Sequence, residues 1–222
     1  MTRIPLFSIL AVAVAGAAGI WLASPAPQAS LPALSMTAEA QEAADIDTST
    51  VEEMALGEAD APVTVIEYAS FTCPHCATFH EQVFPDLKAD YIDTGDIRFV
   101  HREVYFDRYG LWAGMVARCG GEERYFGIAD LIYERQREWT QGEPTEVVAS
   151  LRRIGKTAGL TDEQLDACLS DGQKAQTLVA WYQENAQEDG IEATPTFMID
   201  GEKYSNMPYA DFAEILDGKL GD

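Results

Sequence analysis

Basic residues are scarce in this sequence. Fifteen Lys and Arg stand against 37 Asp and Glu over 222 residues, a formal charge of −22. Nucleic acid and anionic lipid surfaces both call for basic patches, so neither is expected as a partner. The acids read instead as a solvated, soluble surface. A second Cys-x-x-Cys is also missing, and no His pair follows the first one. A zinc site built on one Cys-x-x-Cys needs one or the other, which weighs against zinc. No internal repeat is present at any period. Long apolar runs are equally rare: one stretch, Ile4–Leu22, qualifies.

That stretch follows a single charge, Arg3, and precedes Ala23-Ser24-Pro25-Ala26-Pro27-Gln28-Ala29. A short basic start, an apolar run and small residues describe a secretory signal peptide over residues 1–29, cleaved near Ala26 or Ala29. The run is long enough that a retained membrane anchor is the alternative. Either way the remainder is exported, to a compartment such as the periplasm where disulfides persist. Removal of residues 1–29 takes away Arg3 and no acid, leaving 14 − 37 = −23. Residues 30–50 are rich in Ala, Ser, Thr and acids without apolar period and read as a disordered linker. About 170 residues remain, enough for one domain with a sizeable core.

The informative stretch is Ser70-Phe71-Thr72-Cys73-Pro74-His75-Cys76. Val63–Tyr68 before it is β-branched and apolar, as a buried strand is. Pro74 suits a first helical position, where no backbone N–H is needed. In the first turn of a helix, positions i and i+3 lie within bridging range of each other. Cys73 then sits where free backbone N–H groups and the helix dipole favour an anion. A cationic His75 would add to this. Both lower the thiol pKa, and the thiolate is the form that attacks disulfides. Cys76, in the helix, is the resolving thiol. A purely structural disulfide and half of a zinc site are the alternatives.

Helical spacing at Phe79, Val83 and Leu87 continues to Asp90, with Pro85 expected to kink the helix. Ile97–Val104 reads as a second strand. From about Arg108 to Asp189 the pattern is helical, in segments near 108–119, 123–138, 145–158, 162–170 and 174–188. Thr161 with Gln164 resembles a capping box. Ala193–Tyr204 reads as loop, strand, tight turn at Asp200-Gly201 and strand. Pro208–Leu216 reads as a closing helix. Strands flank the helical block, so it is an insertion within one sheet domain. The expected division is residues 51–107 with 190–222 for the sheet domain, and 108–189 for the insertion. Trp112, Trp139 and Trp181 are expected in the core. His101 and Arg102 are expected to serve ordinary packing or surface roles.

Several of these segments resemble the DsbA-like thiol–disulfide oxidoreductases, which have a thioredoxin fold, an α/β architecture with an all-helical insertion between the second strand and the cis-proline strand. The resemblance rests on Val65-Ile66-Glu67-Tyr68 leading into Phe71–Cys76, on Tyr91-Ile92-Asp93-Thr94-Gly95, and on Ala193-Thr194-Pro195-Thr196-Phe197. It covers about residues 51–222, and the Val100–Cys119 segment most resembles alphaproteobacterial members. It implies that Cys73 is the exposed nucleophile with Cys76 its partner. It implies that Pro195 is a cis-proline facing the cysteines, with Thr194 offering backbone to an extended substrate. It also implies that Glu67 is a buried acid near the second cysteine that relays a proton. An acid turned inward there would have its pKa raised by burial, which suits acid–base work; the alternative is an outward-facing Glu67.

The expected function is therefore a periplasmic oxidoreductase that introduces disulfides into reduced or unfolded secreted proteins. A membrane redox partner that reoxidises it is implied by the resemblance alone. No cofactor beyond the dithiol is expected, and the chain is expected to be a monomer. The alternatives are an isomerase or reductase of the same fold, disfavoured because no dimerisation domain is evident; a periplasmic copper- or zinc-binding protein using Cys73, Cys76 and His80; and a chaperone-like binder without redox chemistry. Four cysteines allow three pairings. If Cys73 pairs with Cys76, Cys119 and Cys168 remain, and a structural disulfide between them is expected. Two ordinary buried thiols are the alternative.

Overall fold

The computed structural model describes residues 46–221. The expected signal peptide or anchor and the linker up to residue 45 lie outside these residues. Five described strands form one sheet: β1 (Met54–Leu56), β2 (Val63–Ala69), β3 (Ile97–Glu103), β4 (Thr196–Ile199) and β5 (Glu202–Ser205). Their order is β1-β3-β2-β4-β5. β2 and β3 run parallel, while β1 on β3, β4 on β2 and β5 on β4 are antiparallel. No strand was expected at β1. Its three residues are too few to show alternation, and pairing of Met54 with His101 across the sheet edge defines it. The opposite edge, β5, is short, mostly exposed and carries Glu202 and Lys203, which discourages further strand pairing. The β4–β5 turn places Asp200 at φ 47° and Gly201 at φ 79°. Two successive left-handed residues make the hairpin turn for which Asp-Gly is suited.

The disturbance expected in the helix after the cysteines falls at Val83, which stays in the helical region but interrupts the regular helix. α1 (Pro74–Gln82) ends, α2 (Phe84–Leu87) restarts it, and Lys88–Ile92 finishes as a π-helical turn. Pro85 explains the break: it has no N–H for the i−4 carbonyl, and its ring clashes there. A second departure lies in the insertion. The single helix expected near 123–138 is two, α4 (Glu122–Glu134) and α5 (Gln136–Trp139), preceded by α3 (Arg108–Cys119). Arg135 leaves helical backbone at φ −99°, ψ 14°. The break lets Gln136 and Trp139 turn into the core, where the Trp139 indole N–H donates to the Ile132 carbonyl at 2.8 Å.

α6 (Pro144–Thr157), α7 (Asp162–Ser170) and α8 (Gly172–Glu188) complete the helical block, and α9 (Tyr209–Leu220) closes the chain. The starts of α7 and α8 follow from side-chain capping. Thr161 and Gln164 satisfy each other's backbone N–H groups, and Asp171 accepts from the Lys174 N–H at 2.8 Å. One continuous apolar core runs from Val65, Phe99 and Phe197 on the sheet to Leu151 and Leu165 in the helical block. Trp139 and Trp181 are buried. Trp112 is only half-buried; its ring lies 5.5 Å from that of Tyr109, with Arg108 over both. No helix among the described residues is long and apolar enough to cross a membrane.

Candidate active site

β2 delivers the chain to a tight loop whose Cys73 N–H donates to the Ser70 carbonyl at 3.0 Å. Cys73 is then the N-cap of α1, in extended backbone, with Pro74 at the first helical position. This is the position where α1 leaves N–H groups unpaired. Cys73 is half-buried and Cys76 fully buried, and both are free thiols. The loop is braced from the helical block. Gln136 donates to the Phe71 and Cys73 carbonyls, each at 2.9 Å. Asp107, which caps α3 through the Tyr109 and Gly110 N–H groups, also accepts from the Thr72 hydroxyl at 2.7 Å. The Thr194–Pro195 bond is cis, and the Cys73 thiol donates to the Thr194 carbonyl at 3.4 Å.

The two thiols have opposite protonation preferences. The Cys73 pKa is lowered to about 5, chiefly by hydrogen bonding from the Cys76 thiol, then by Thr194 and the Cys76 and His75 backbone N–H groups, all against the opposing effect of burial. Burial pushes the Cys76 thiol far up, reinforced by its bond to Cys73 and by the charge on Glu67. The expected role of His75 changes accordingly. Its side chain is exposed, and its contribution to the thiolate comes through its backbone N–H rather than through ring charge.

Behind Cys76 lies a buried polar network. β2 and β3 are in register so that Glu67 stands beside His101. Glu67 is fully buried, its Oε2 2.8 Å from His80 Nε2 and 4.0 Å from His101 Nε2. His101 Nδ1 lies 2.7 Å from the Tyr125 hydroxyl and its Nε2 3.1 Å from that of Tyr133. Burial lowers the His101 pKa to about 4 and keeps the ring neutral. One residue pair further along the sheet, Arg118 holds buried Glu103 with two bonds of 2.7 and 2.6 Å. Burial raises the Glu103 carboxyl, but the Arg118 charge outweighs it and holds the group below its ordinary range.

The set Cys73, Cys76 and His80 is not assembled as metal ligands, because His80 turns to Glu67. Glu67, His80 and His101 do converge, with donor atoms within 4.8 Å of one another. Both His101 nitrogens are engaged by tyrosine hydroxyls, so this trio reads as a hydrogen-bonded network. At the far end of the insertion, Cys119 and Cys168 form a disulfide with a Cα separation of 5.9 Å.

A family model described as Thioredoxin matches residues 49–218. The chain belongs to the thioredoxin family. Within it, Wolbachia pipientis alpha-DsbA1 is similar in structure, with a TM-score of 0.71 and 29% identity over 77% of this chain and 92% of that one. A Rickettsia bellii protein provisionally named a protein-disulfide oxidoreductase is 34% identical over 74% of this chain. The match spans 63% of that rickettsial protein, less than two thirds of its length. Disulfide bond formation protein D of Bacillus subtilis is 27% identical over 72% of each chain. The thioredoxin-like fold here carries the helical insertion characteristic of its DsbA neighbours.

Sequence reasoning missed three participants. Gln136 looks like any polar residue on an amphipathic helix, and only the break at Arg135 aims it at the loop. Tyr133 gives no sequence signal for its place against His80. Glu103 did leave one: with His101 it alternates with Ile97 and Phe99 on one face of β3, and all four are buried.

Proposed function

We propose that this chain is an exported thiol–disulfide oxidoreductase that passes its Cys73–Cys76 disulfide to reduced, partly unfolded secreted proteins. The observation that carries the reading is the pairing of a half-exposed Cys73, pKa lowered to about 5, with a buried Cys76 that resists ionisation. In the disulfide form, a substrate thiolate attacks Cys73 Sγ. A mixed disulfide forms, the Cys73–Cys76 bond breaks, and Cys76 leaves with the electron pair and takes up a proton. A second substrate thiolate then attacks the substrate sulfur, and Cys73 departs as a thiolate. Two electrons have passed to the protein and one disulfide to the substrate. A low thiol pKa at Cys73 makes it a good leaving group and stabilises the reduced form, which favours the oxidant direction. The Thr194 backbone beside Cys73 offers an extended substrate a strand-like partner.

The export route rests on residues 1–29, and a membrane partner that reoxidises the dithiol rests on the likeness to DsbA proteins. The same reading takes the protein as a monomer. The test is to mix oxidised protein with reduced, denatured ribonuclease. Ribonuclease is expected to gain disulfides while the protein loses one. Cys76→Ser, loaded beforehand as a mixed disulfide of Cys73 with glutathione, is expected to release glutathione and accumulate a mixed disulfide with ribonuclease, and Cys73→Ser treated alike to trap none. Equal trapping by both variants, or no gain of ribonuclease disulfides, would defeat the reading. Fractionation of the native cell tests the location, with the mature protein expected outside the inner membrane.

A further inference from the structure

A groove starts at the redox pair and runs away from the Thr194–Pro195 loop. Pro74, Ala77, Thr78 and Glu81 recur at helical spacing and form one stripe along α1. Tyr133, Glu134 and Arg137 stand opposite, and together they bound a cavity of about 410 Å³. A second cavity of about 330 Å³ shares Ala77, Glu81, Tyr133 and Glu134 with the first and continues to Phe84, Lys88 and Asp130. No residue of the Thr194–Pro195 loop lines either one. Buried Phe84 and Tyr133 give the groove an apolar floor. Its charges come in a fixed order. Arg137 stands at the end near Pro74, Glu81 and Glu134 face each other where the cavities join, and Asp130 and Lys88 lie at the far end. Lys88 is already held by Asp93 at 2.5 Å. Glu81, Asp130, Glu134 and Arg137 make no ion pair among the described residues. Burial raises the Asp130 carboxyl above its ordinary range, with the charges of His80 and Lys88 opposing. The middle of the groove therefore presents carboxylates that no neighbouring cation pairs.

We propose that this groove selects among substrates: it takes the extended segment on one side of the reacting substrate cysteine and favours a Lys or Arg three or four residues from it. The proposal rests on the oxidoreductase reading above and adds the substrate class. The reach follows from the geometry of α1. Glu81 lies 81 − 73 = 8 positions beyond Cys73, about 12 Å along a helix axis. An extended chain advances about 3.3 Å per residue. Three or four residues therefore carry a side chain from Cys73 to the facing carboxylates. Chemistry selects a cation there. Glu81 and Glu134 accept N–H donors from an ammonium or guanidinium, and Tyr133 and Phe84 take the aliphatic stem. An acidic side chain would meet two like charges, which rejects it. Arg137 disfavours a basic residue directly beside the cysteine. The other flank of the substrate stays free to pair with the Thr194 backbone, so the groove and the cis-proline loop hold opposite sides of one chain. Glu81 and Glu134 set specificity and stand apart from the exchanging sulfurs.

The test uses Cys76→Ser loaded with glutathione at Cys73, and peptides of equal length with one cysteine each. They carry Lys, Gln or Glu at the fourth position on both sides of that cysteine. The peptide thiolate attacks Cys73 Sγ, glutathione leaves as a thiolate, and the protein–peptide adduct is followed by mass. Each rate is divided by the same peptide's rate with glutathione disulfide alone, which removes differences in intrinsic thiol reactivity. One exposed ion pair is worth up to about fivefold, so the Lys peptide is expected to react at least about threefold faster than the Gln peptide. The Glu peptide is expected to be slowest. Charge reversal by Glu81→Lys/Glu134→Lys is expected to invert the order. Glu163→Lys/Glu188→Lys makes the same change in net charge at exposed positions outside the groove and is expected to keep the order. Lys and Gln peptides within about 1.5-fold of each other overturn the proposal, since that is the bottom of the range for a single exposed pair. So does a reversed groove that still prefers Lys. Equal effects of the two reversals also overturn it and assign the preference to overall charge. Exchange at Cys73 with a peptide thiol has no net direction. A protein that leaves ribonuclease reduced would sink the proposed function while the peptide order still decides the role of the groove.

Discussion

At the residue scale, three positions of sequence separate a thiol that ionises readily from one that does not. Cys73 terminates a strand-to-helix loop and gathers donors from the Cys76 thiol, the Thr194 side chain and two backbone N–H groups. Cys76, one helical turn on, is enclosed and faces the charge of Glu67. Alkylation of the reduced protein is therefore expected at Cys73 first, with a rate that reaches half its maximum near pH 5. Mass mapping checks this, and equal labelling of both thiols in the native state would contradict it. The same shift sets a stability trend. The Cys73 pKa falls from 9.0 to about 5 on folding, so between those values the folded dithiol binds fewer protons than the unfolded chain. The stabilisation is fully present above the unfolded value and is lost as pH falls through about 5. Oxidised protein lacks this titration. Denaturant unfolding of both forms is expected to show the reduced form gaining on the oxidised form as pH rises through that window. A difference independent of pH would place the thiolate stabilisation elsewhere.

Much of this chemistry is legible in the residue types alone. Pro74 after Cys73 marks a helix start, whereas an inward-facing Glu67 follows only from the family resemblance, since Ile66 and Tyr68 make the other face of β2 apolar as well. What alternation cannot supply is the partner. His80 shares a helix face with Cys76 by spacing, but its turn toward Glu67 depends on how α1 crosses the sheet. The same gap let Cys73, Cys76 and His80 look like a metal set.

At the element scale, the active-site loop is held by pieces of the helical block rather than by the sheet alone. The break between α4 and α5 is the decisive feature, because it delivers both amide hydrogens of Gln136 to loop carbonyls. No composition signal marks it. Arg135 and Gln136 are both good helix formers, and tertiary hydrogen bonds override their propensity. Gln136→Leu removes the donors while keeping approximate volume, leaving the buried Phe71 carbonyl unpaired. A loss of about 1–3 kcal/mol in unfolding free energy is expected, together with a raised Cys73 alkylation half-point as the loop loosens. Unchanged stability and unchanged titration would show that the brace is dispensable. β1 was equally silent in sequence, since three residues hold no period and edge pairing alone makes them a strand. Pro85 announced a disturbance, and the structure shows it as an interruption of one residue at Val83, whose backbone stays in the helical region.

At the scale of the whole molecule, one core joins the sheet to the insertion, and the Cys119–Cys168 bridge lies far from the redox pair in that shared body. It links α3 to α7 across a sequence separation of 49. The chain-entropy model gives about 4 kcal/mol for closing a loop of that length. Cys119→Ala/Cys168→Ala is expected to lower stability by up to about that amount while leaving the Cys73 half-point near pH 5. A double variant as stable as the native protein would make the bridge ornamental. The formal charge of −22 also acts at this scale. It keeps nucleic acid and anionic lipid away from a site whose proposed targets are extended polypeptides.

The most direct test is equilibration of Cys73–Cys76 with glutathione at neutral pH, with the dithiol fraction read by alkylation and mass. Thiolate stabilisation at Cys73 lowers the free energy of the reduced form, so the potential is expected on the oxidising side, nearer about −120 mV than about −270 mV. A value at or below about −270 mV, typical of a thiol reductant, would contradict the oxidant direction and with it the link from the start of α1 to function.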